Sequence, residues 1–433
     1  MVGSGPADLG SNPGETTKLQ NRLIGLVFVK HIDTMGVTLG TTEELMTFAK
    51  IFFGTLVFAG IYFLARHFRD GLALPGAPRF DRTVLLLGMW CFAGLLIDVW
   101  AHKHGEVDNS FFTPWHAVWY SGFTAFAGYI TFALWRLYDG DFPKTVSMIK
   151  EFFGQMPMGY SLGVVGMIVF ATSGFADMLW HTFFGIEGGT DILLSPAHLG
   201  LAAGLIFSVM TPVMAAWHNP DSGTNGLSSQ ILILFGIGAA WGVITLFTSY
   251  SHPLTLDFNS MCETLDPCGD RNEGLERGVT SVLLQSLILS GLILWFMKRW
   301  KPVAGSFTVL MLINGLAIAA NAPGELKEAW KHVMVPLFSG IFIDIFYSKL
   351  GHRIRWFSFF VPVIYTTAWM IGLIITRGWD YGTAHGNIVM APLGWSIHAT
   401  LGAIFLAGCM GLLASILTHP PEIPMKDAEE NIS

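Results

Sequence analysis

Eleven apolar runs, each of 18 residues or more, constrain this chain more than any other feature of its sequence. A helix of about 20 apolar residues spans the hydrocarbon core of a bilayer. Only 13% of the residues are charged, whereas a soluble domain carries about 25%. We therefore predict an all-α fold, a polytopic membrane helix bundle of about eleven transmembrane helices. The runs lie near 48–66, 83–101, 114–136, 160–181, 196–216, 229–249, 279–298, 302–321, 331–348, 356–376 and 391–417.

The same pattern divides the chain into four segments. Residues 1–45 are polar, with a stretch at 22–38 that suits the membrane interface. Residues 46–218 hold the membrane helices that carry the motifs described below, and residues 219–417 hold further membrane helices. Residues 418–433 form a polar tail.

The basic residues predict the orientation of the bundle. Fourteen Lys and Arg residues lie in one alternating set of loops and six in the other. Because short cytoplasmic loops are enriched in Lys and Arg, we expect the N-terminus outside and the C-terminus in the cytoplasm of a multi-pass cell-membrane protein. This orientation places Cys262 and Cys268 in an extracytoplasmic loop, where they form either a disulfide or two free thiols. Cys91 and Cys409 lie within apolar spans and are interpreted as small buried side chains.

Aspartates and histidines gather at the predicted outer ends of several spans. The first set is Asp98, His102 and His116, in the string DVWAHKHGEVDNSFFTPWH. The aspartate and the nearer histidine are four residues apart, so they share one face of a helix. Proline two residues before the last histidine is typical of a helix start, so His116 is expected to arrive from the next helix.

A second stretch repeats this pattern. It contains Asp177, His181 and His198, with the last histidine in LLSPAH. Two imidazoles and one carboxylate suit copper, zinc or non-haem iron, and each set is therefore a candidate metal site. The alternative for each residue is an ordinary solvated or hydrogen-bonded role at the membrane boundary, which we favour for His104.

A third set is a weaker candidate for a metal site. It consists of Asp380, His385 and His398, and its nearer histidine is five residues from the aspartate instead of four. Packing or hydrogen bonding is the commoner role for such residues.

The two stronger motifs resemble the C subunit of copper membrane monooxygenases, the particulate methane and ammonia monooxygenases. The resemblance covers roughly residues 83–216 and is carried by D-x3-H with FFTPWH, and by WHTFF with LLSPAH. It implies that Asp98, His102 and His116 bind copper, and that the second set does so too. The chain departs from the family in having Asp177 where the family has Asn, in a longer second loop, and in the six spans of 229–417.

Three functions follow as expectations. The first is a copper-dependent monooxygenase or monooxygenase subunit that oxidises a small apolar substrate at the extracytoplasmic face, with electrons from outside this chain. The second is a zinc-dependent hydrolase acting on lipid, with Glu187 or Asp191 as base. The third is a non-catalytic metal-binding or transport protein. The expected partners are the lipid bilayer and other membrane subunits or a second copy, and no basic patch indicates nucleic acid.

Three further features carry expectations. The tryptophans near the candidate sites form either an interfacial belt or a wall for an apolar substrate. The small residues of GLAAG (200–204) and GIGAA (236–240) are expected to let helices approach closely. Asp344, within an apolar span, either pairs with Lys349 or belongs to a proton path, and pairing is the role that we expect.

Overall fold

The computed structural model confirms the predicted helical membrane bundle. It describes residues 41–71, 73–106, 111–137, 147, 156–184, 190–254, 271–322, 330–377, 381–384, 387–390 and 395–420. Within these residues, ten helices are long and apolar enough to cross a membrane. The predicted cysteine loop and most of the polar N- and C-terminal segments lie outside the described residues.

Twelve helices make up almost all of the described structure. In chain order they are α1 (Thr42–Asp70), α2 (Pro78–Lys103), α3 (Pro114–Leu137), α4 (Tyr160–Phe184), α5 (Asp191–Leu194), α6 (Pro196–His218), α7 (Leu227–Phe247), α8 (Arg271–Arg299), α9 (Ser306–Asn321), α10 (Trp330–Leu350), α11 (Ile354–Arg377) and α12 (Ile397–Thr418). The eighth predicted span corresponds to α9, whose 16 residues make it shorter than the others. It packs between α7 and α10.

Three short strands precede the last helix, where the sequence predicted a loop and the start of a span. They are β1 (Tyr381–Ala384), β2 (Asn387–Met390) and β3 (Trp395–Ser396), which pair antiparallel in the order β1-β2-β3. The last apolar helix therefore begins at Ile397 rather than at residue 391. Ser396 caps it by accepting a hydrogen bond from the amide of Ala399 at 3.2 Å.

Local sequence explains where the first helices begin. Thr41 and Glu44 form a capping box at the start of α1, in which each side chain accepts a hydrogen bond from the other residue's amide. Pro78, Pro114 and Pro196 stand at the first positions of α2, α3 and α6, where a missing amide hydrogen costs nothing. Two of the predicted metal-ligating histidines, His116 and His198, lie two residues after the prolines that begin α3 and α6.

Close helix contacts build the half of the bundle that carries the motifs. The pairs α2–α3 and α4–α6 pack along their lengths. A Cβ added at Gly94 of α2 would lie 2.6 Å from the Cα of Trp119, and one at Gly204 of α6 would lie 2.6 Å from the amide nitrogen of Phe170. Both glycines are therefore required for these approaches, as predicted for the GLAAG string.

The second half of the bundle surrounds the largest apolar core. This core includes Trp241, Leu289, Phe307 and Trp369. The small residues of GIGAA also act as predicted, because a Cβ at Gly238 would lie 2.9 Å from the side chain of Ile313. By contrast, α1 buries only Ala59 and rests mainly on α3.

The predicted pairing of Asp344 with Lys349 is wrong. Asp344 instead accepts hydrogen bonds from the amides of Phe307 and Thr308, at 3.2 and 3.0 Å, and from the Thr308 hydroxyl at 2.6 Å. These groups form the first turn of α9. The carboxylate of α10 therefore caps the N-terminus of the neighbouring helix, where its negative charge also suits the helix dipole.

Candidate metal centre

The first predicted set comes together where α2 ends and α3 begins. Asp98 and His102 occupy consecutive turns at the end of α2, and His116 is the third residue of α3. The hydroxyl of Thr113 accepts a hydrogen bond from the His116 amide at 3.1 Å, which fixes the first turn of α3. We call Asp98, His102 and His116 centre 1.

Centre 1 is compact and largely buried. The Nε2 atom of His116 lies 3.4 Å from Oδ1 of Asp98, and Nε2 of His102 lies 3.8 Å from Oδ2. One ligand atom from each residue lies within 4.8 Å of the other two. Asp98 and His116 are each 5% exposed. The three side chains could therefore hold one metal ion.

The second predicted set has the same construction at α4 and α6. Asp177 and His181 lie near the end of α4, and His198 is the third residue of α6. Ser195 caps α6 by accepting the His198 amide at 3.3 Å. We call Asp177, His181 and His198 centre 2.

Centre 2 is tighter than centre 1. Oδ1 of Asp177 lies 3.0 Å from Nε2 of His198 and 3.4 Å from Nε2 of His181. Its three ligand atoms also meet the 4.8 Å limit, and Asp177 is completely buried. Within the part of the chain that the structure describes, centres 1 and 2 are the only groups of three or more His, Cys, Asp or Glu side chains that converge in this way.

Backbone carbonyls orient one histidine in each centre. Nδ1 of His116 lies 2.7 Å from the carbonyl oxygen of Phe111, and Nδ1 of His198 lies 2.7 Å from that of Ile192. A carbonyl only accepts, so each Nδ1 carries the hydrogen. In the neutral ring, Nε2 then holds a lone pair, which is the form that binds a metal.

This orientation makes the donor sets fit a bound cation. In both centres an Nε2 lone pair faces a carboxylate oxygen, and two acceptors at such distances repel unless a proton or a metal ion lies between them. Oδ1 of Asp98 and Oδ1 of Asp177 are also buried, and neither accepts a hydrogen bond of good geometry from the described residues. A buried carboxylate oxygen in this situation is costly without a cation. The residues of both centres therefore fit a metal ion.

Two aromatic residues connect the centres. The ring of Tyr120 packs edge-on against His116, with centroids 5.8 Å apart, and its hydroxyl lies 3.4 Å from Oδ2 of Asp177. The ring of Phe111 lies 4.9 Å from that of His116 and 6.4 Å from that of His181. The two centres are therefore neighbours that share one aromatic wall.

Sequence reasoning did not identify Tyr120 or Phe111. Tyr120 follows His116 by four residues, so helical spacing alone places both on one face of α3, and this signal was present. No local pattern indicates that its hydroxyl reaches Asp177 on another helix. The carbonyl groups that orient His116 and His198 carry no side-chain signal at all.

The remaining predicted residues have other positions. His104 directs Nδ1 to the carbonyl of Trp100 at 2.7 Å and stacks on its ring, a hydrogen-bonding role that matches the one favoured for it. In the third set, Asp380 and His385 lie outside the described residues. His398 is exposed in the first turn of α12.

Comparisons with protein-family models, with curated proteins and with solved structures found no match. The geometry of the two centres therefore carries the functional argument.

Proposed function

We propose that this chain is a membrane metalloprotein that binds copper at centres 1 and 2 and acts as a copper-dependent monooxygenase, or as a subunit of one. The observation that carries the proposal is the convergence of two Asp-His-His sets at adjoining helix ends. The resemblance of both motifs to the C subunit of copper membrane monooxygenases supports the same function. The orientation predicted from the basic residues puts both centres at the extracytoplasmic face.

The general order of divalent metal affinities favours copper among the metals considered. Two imidazoles and a carboxylate also serve zinc and non-haem iron. Copper(II) binds a given nitrogen and oxygen site more tightly than either, by the general order of divalent metal affinities. The three ligands in each set leave coordination positions for a small molecule, which a purely structural site would fill.

The chain's own residues prepare the site for an apolar substrate. The carbonyls of Phe111 and Ile192 hold His116 and His198 in position. The rings of Phe111 and Tyr120 lie against His116 and offer an apolar surface beside the centres. Trp119, which is nearly buried, packs against His116 with centroids 6.3 Å apart. These contacts restrict water and favour a small hydrocarbon over a charged substrate.

A bound copper ion would supply the activation of dioxygen. The overall reaction balances as substrate R–H, dioxygen, two electrons and two protons giving R–OH and water. We assign the electrons and protons to a membrane-soluble quinol that reaches the protein from outside this chain.

No described residue favours the hydrolase alternative. Its candidate base Glu187 lies outside the described residues, and Asp191 is exposed at the start of α5. Hydrolysis and metal carriage are therefore outcomes that the following experiments would reveal.

Metal analysis tests the first half of the proposal. The purified full-length chain, loaded with copper, zinc or iron and washed, should retain one copper per centre. His116→Ala and His198→Ala should each lose the metal of one centre, and the double variant should lose both. His104→Ala is the matched control, because it removes a neighbouring imidazole outside centre 1 and should leave copper content unchanged.

X-ray absorption identifies the ligands of the retained metal. Copper bound by imidazole nitrogen and carboxylate oxygen agrees with the proposal. Stoichiometric zinc that resists replacement by copper would favour hydrolysis, and failure to retain any metal would refute both centres.

Isotope incorporation tests the oxidation itself. Membranes containing the chain, supplied with a reduced quinol, a short alkene and ¹⁸O₂, should form an oxygenated product that carries ¹⁸O. Membranes with the His116→Ala/His198→Ala variant should not. Retained copper without product would indicate a metal-binding protein that is not a monooxygenase.

A further inference from the structure

A second candidate site lies at the opposite end of α2. A cleft of about 580 Å³ opens between α1, α2 and α3, near the turn that joins α1 to α2. It is about 24 Å along the α2 axis from Asp98, since 16 residues separate Arg82 from Asp98 and a helix rises about 1.5 Å per residue. Nothing in the proposed metal chemistry uses this cleft.

The rim of the cleft has excess positive charge. Arg66, Arg79 and Arg82 line it, together with the single carboxylate of Asp70. Three guanidinium groups against one carboxylate leave a net charge of plus two, with His67 counted as neutral. Asp70 already lies 3.3 Å from Arg66 and 3.7 Å from Arg79, so it cannot offset the rest.

Arg82 is the arginine most available to a ligand. It is exposed, and within the described ranges it makes no hydrogen bond or ion pair. The nearby carboxylate of Asp81 does not line the cleft. Instead it accepts a hydrogen bond from the hydroxyl of Tyr160, which anchors α2 to α4.

The turn that positions these arginines is held in place. Arg79 donates to the carbonyls of Asp70 and Gly71, at 2.9 and 3.1 Å. The amide of Gly76 donates to the hydroxyl of Tyr160 at 3.0 Å. Gly71 and Gly76 adopt positive φ angles of 70° and 91°, which other residues rarely adopt. The basic rim is therefore part of the fold and not of a free loop.

The inner part of the cleft is apolar and open to the bilayer. Its base is a stack of Phe63 on Tyr129, with ring centroids 5.2 Å apart. Leu64, Leu86 and Phe132 line its sides and are exposed. A ligand with an anionic head and an apolar tail matches this combination of a basic rim and an apolar groove.

We infer that this cleft binds an anionic phospholipid from the adjoining leaflet, with its phosphate against the arginines and an acyl chain along the apolar sides. Basic pockets between transmembrane helices are suited to anionic headgroups, and guanidinium groups bind phosphate through paired hydrogen bonds. The α1–α2 loop belongs to the set of loops richer in Lys and Arg. The predicted orientation therefore places the cleft at the cytoplasmic leaflet, where anionic lipids are concentrated.

Native mass spectrometry of the full-length chain tests this inference. The protein in detergent is mixed with equal amounts of phosphatidylglycerol and phosphatidylcholine with identical acyl chains. We expect phosphatidylglycerol to be retained preferentially. Because one basic residue near an anionic lipid contributes about fivefold in affinity, Arg82→Gln should weaken phosphatidylglycerol binding about fivefold and Arg82→Glu about thirtyfold.

Arg353→Gln and Arg353→Glu are matched controls. Arg353 is also exposed, and it lies in the loop before α11, at the same predicted face of the membrane. These variants should leave phosphatidylglycerol retention unchanged. Since Arg82 is exposed and makes no hydrogen bond or ion pair with the described residues, its variants should keep the wild-type melting temperature without lipid.

Three outcomes of the lipid-binding measurements would overturn the inference. They are equal retention of the two lipids by the wild-type chain, an Arg82→Glu variant that binds phosphatidylglycerol as the wild type does, and an equal loss in the Arg353 variants. Displacement of the lipid by millimolar inorganic phosphate would also overturn it, because it would identify a site for free phosphate. Metal content is measured on the same samples and should not change, so the two proposals fail independently.

Discussion

The two halves of the bundle use buried or half-buried polar groups in opposite ways. In the half built from α1–α6, the carboxylates of Asp98 and Asp177 face imidazole nitrogens that have no hydrogen to offer them in the neutral form. In the half built from α7–α12, Asp344 receives three hydrogen bonds from α9. Gln230 similarly bridges to the carbonyl of Lys301 and to the Ser306 hydroxyl, at 2.7 and 2.8 Å.

This difference distinguishes polar groups that specify helix packing from polar groups that the protein leaves without a matching donor and that can bind a cation. A buried acceptor matched by protein donors fixes how helices meet and needs nothing else. A buried acceptor that faces another acceptor needs a cation. An aspartate that lies at least half-buried between helices is thus not in itself a sign of function in a membrane protein, and the partner that it faces decides its role.

The largest expected effect comes from replacing an aspartate by alanine in each half separately and comparing the metal affinities of these single variants. Asp98→Ala and Asp177→Ala should each weaken metal binding at their own centre by more than about a hundredfold, because loss of a group that merely supports a ligand already costs 10- to 100-fold. Asp344→Ala should leave metal affinity unchanged. Competition titration with a copper chelator measures all three. A comparable loss in Asp344→Ala would erase the distinction between the halves.

The free energy of unfolding should show the reverse order, with Asp344→Ala destabilising the metal-free protein more than the substitutions at the two centres. Asp344→Ala removes the cap of α9 and leaves two amides and a hydroxyl without their acceptor, so the free energy of unfolding should fall by about 2 kcal/mol. Lys349→Ala is the control, since the aspartate does not depend on that residue. Denaturation of both variants in detergent, monitored by circular dichroism, checks the result. Equal destabilisation by the two variants would contradict this assignment and would support an ion pair between Asp344 and Lys349.

His252 offers a contrast to the histidines of the centres. It lies between α7 and α8, is 1% exposed, and accepts a hydrogen bond from the Leu254 amide at 3.1 Å on Nδ1. Burial lowers its pKa from 6.5 to about 3. The unfolded chain therefore binds a proton on this ring below about pH 6.5, whereas the folded chain binds it only below about pH 3. The free energy of unfolding is therefore unaffected by this histidine at neutral pH and falls as the pH decreases below about 6.5.

The expected cost for His252 between pH 7 and pH 5 is about 2 kcal/mol. The pH dependence of thermal unfolding should be smaller by that amount in His252→Leu than in the wild type, with both proteins freed of metal. If the two proteins lose stability in parallel, the buried ring is not the source of the pH dependence.

The sequence predicts which Asp and His side chains converge in the two centres because the signals are local. An aspartate and a histidine one helical turn apart, and a histidine two residues after a proline, define helix ends without any knowledge of the fold. The role of Asp344 was predicted wrongly because the sequence offers Lys349 five residues away, whereas the actual donors come from a helix 36 to 37 residues earlier in the chain. The arginines of the lipid cleft were predicted as loop charges, but their convergence on an apolar groove depends on how α1 rests on α3.

Tyr120 provides the smallest and most specific expected effect, and it separates the two centres from each other. Tyr120→Phe removes the hydroxyl that lies 3.4 Å from Asp177 and keeps the ring that packs on His116. Copper affinity at centre 2 should fall about tenfold, as for other groups that hydrogen-bond a metal ligand, while centre 1 should not change. Tyr129→Phe, in the lipid cleft, is the matched control. Since His116→Ala and His198→Ala each leave one centre, adding Tyr120→Phe to both variants assigns the loss. A tenfold loss at centre 1 would mean that the Tyr120 hydroxyl supports that centre as well, since the ring on His116 is retained. No loss at either centre would mean that Asp177 depends on its histidines alone.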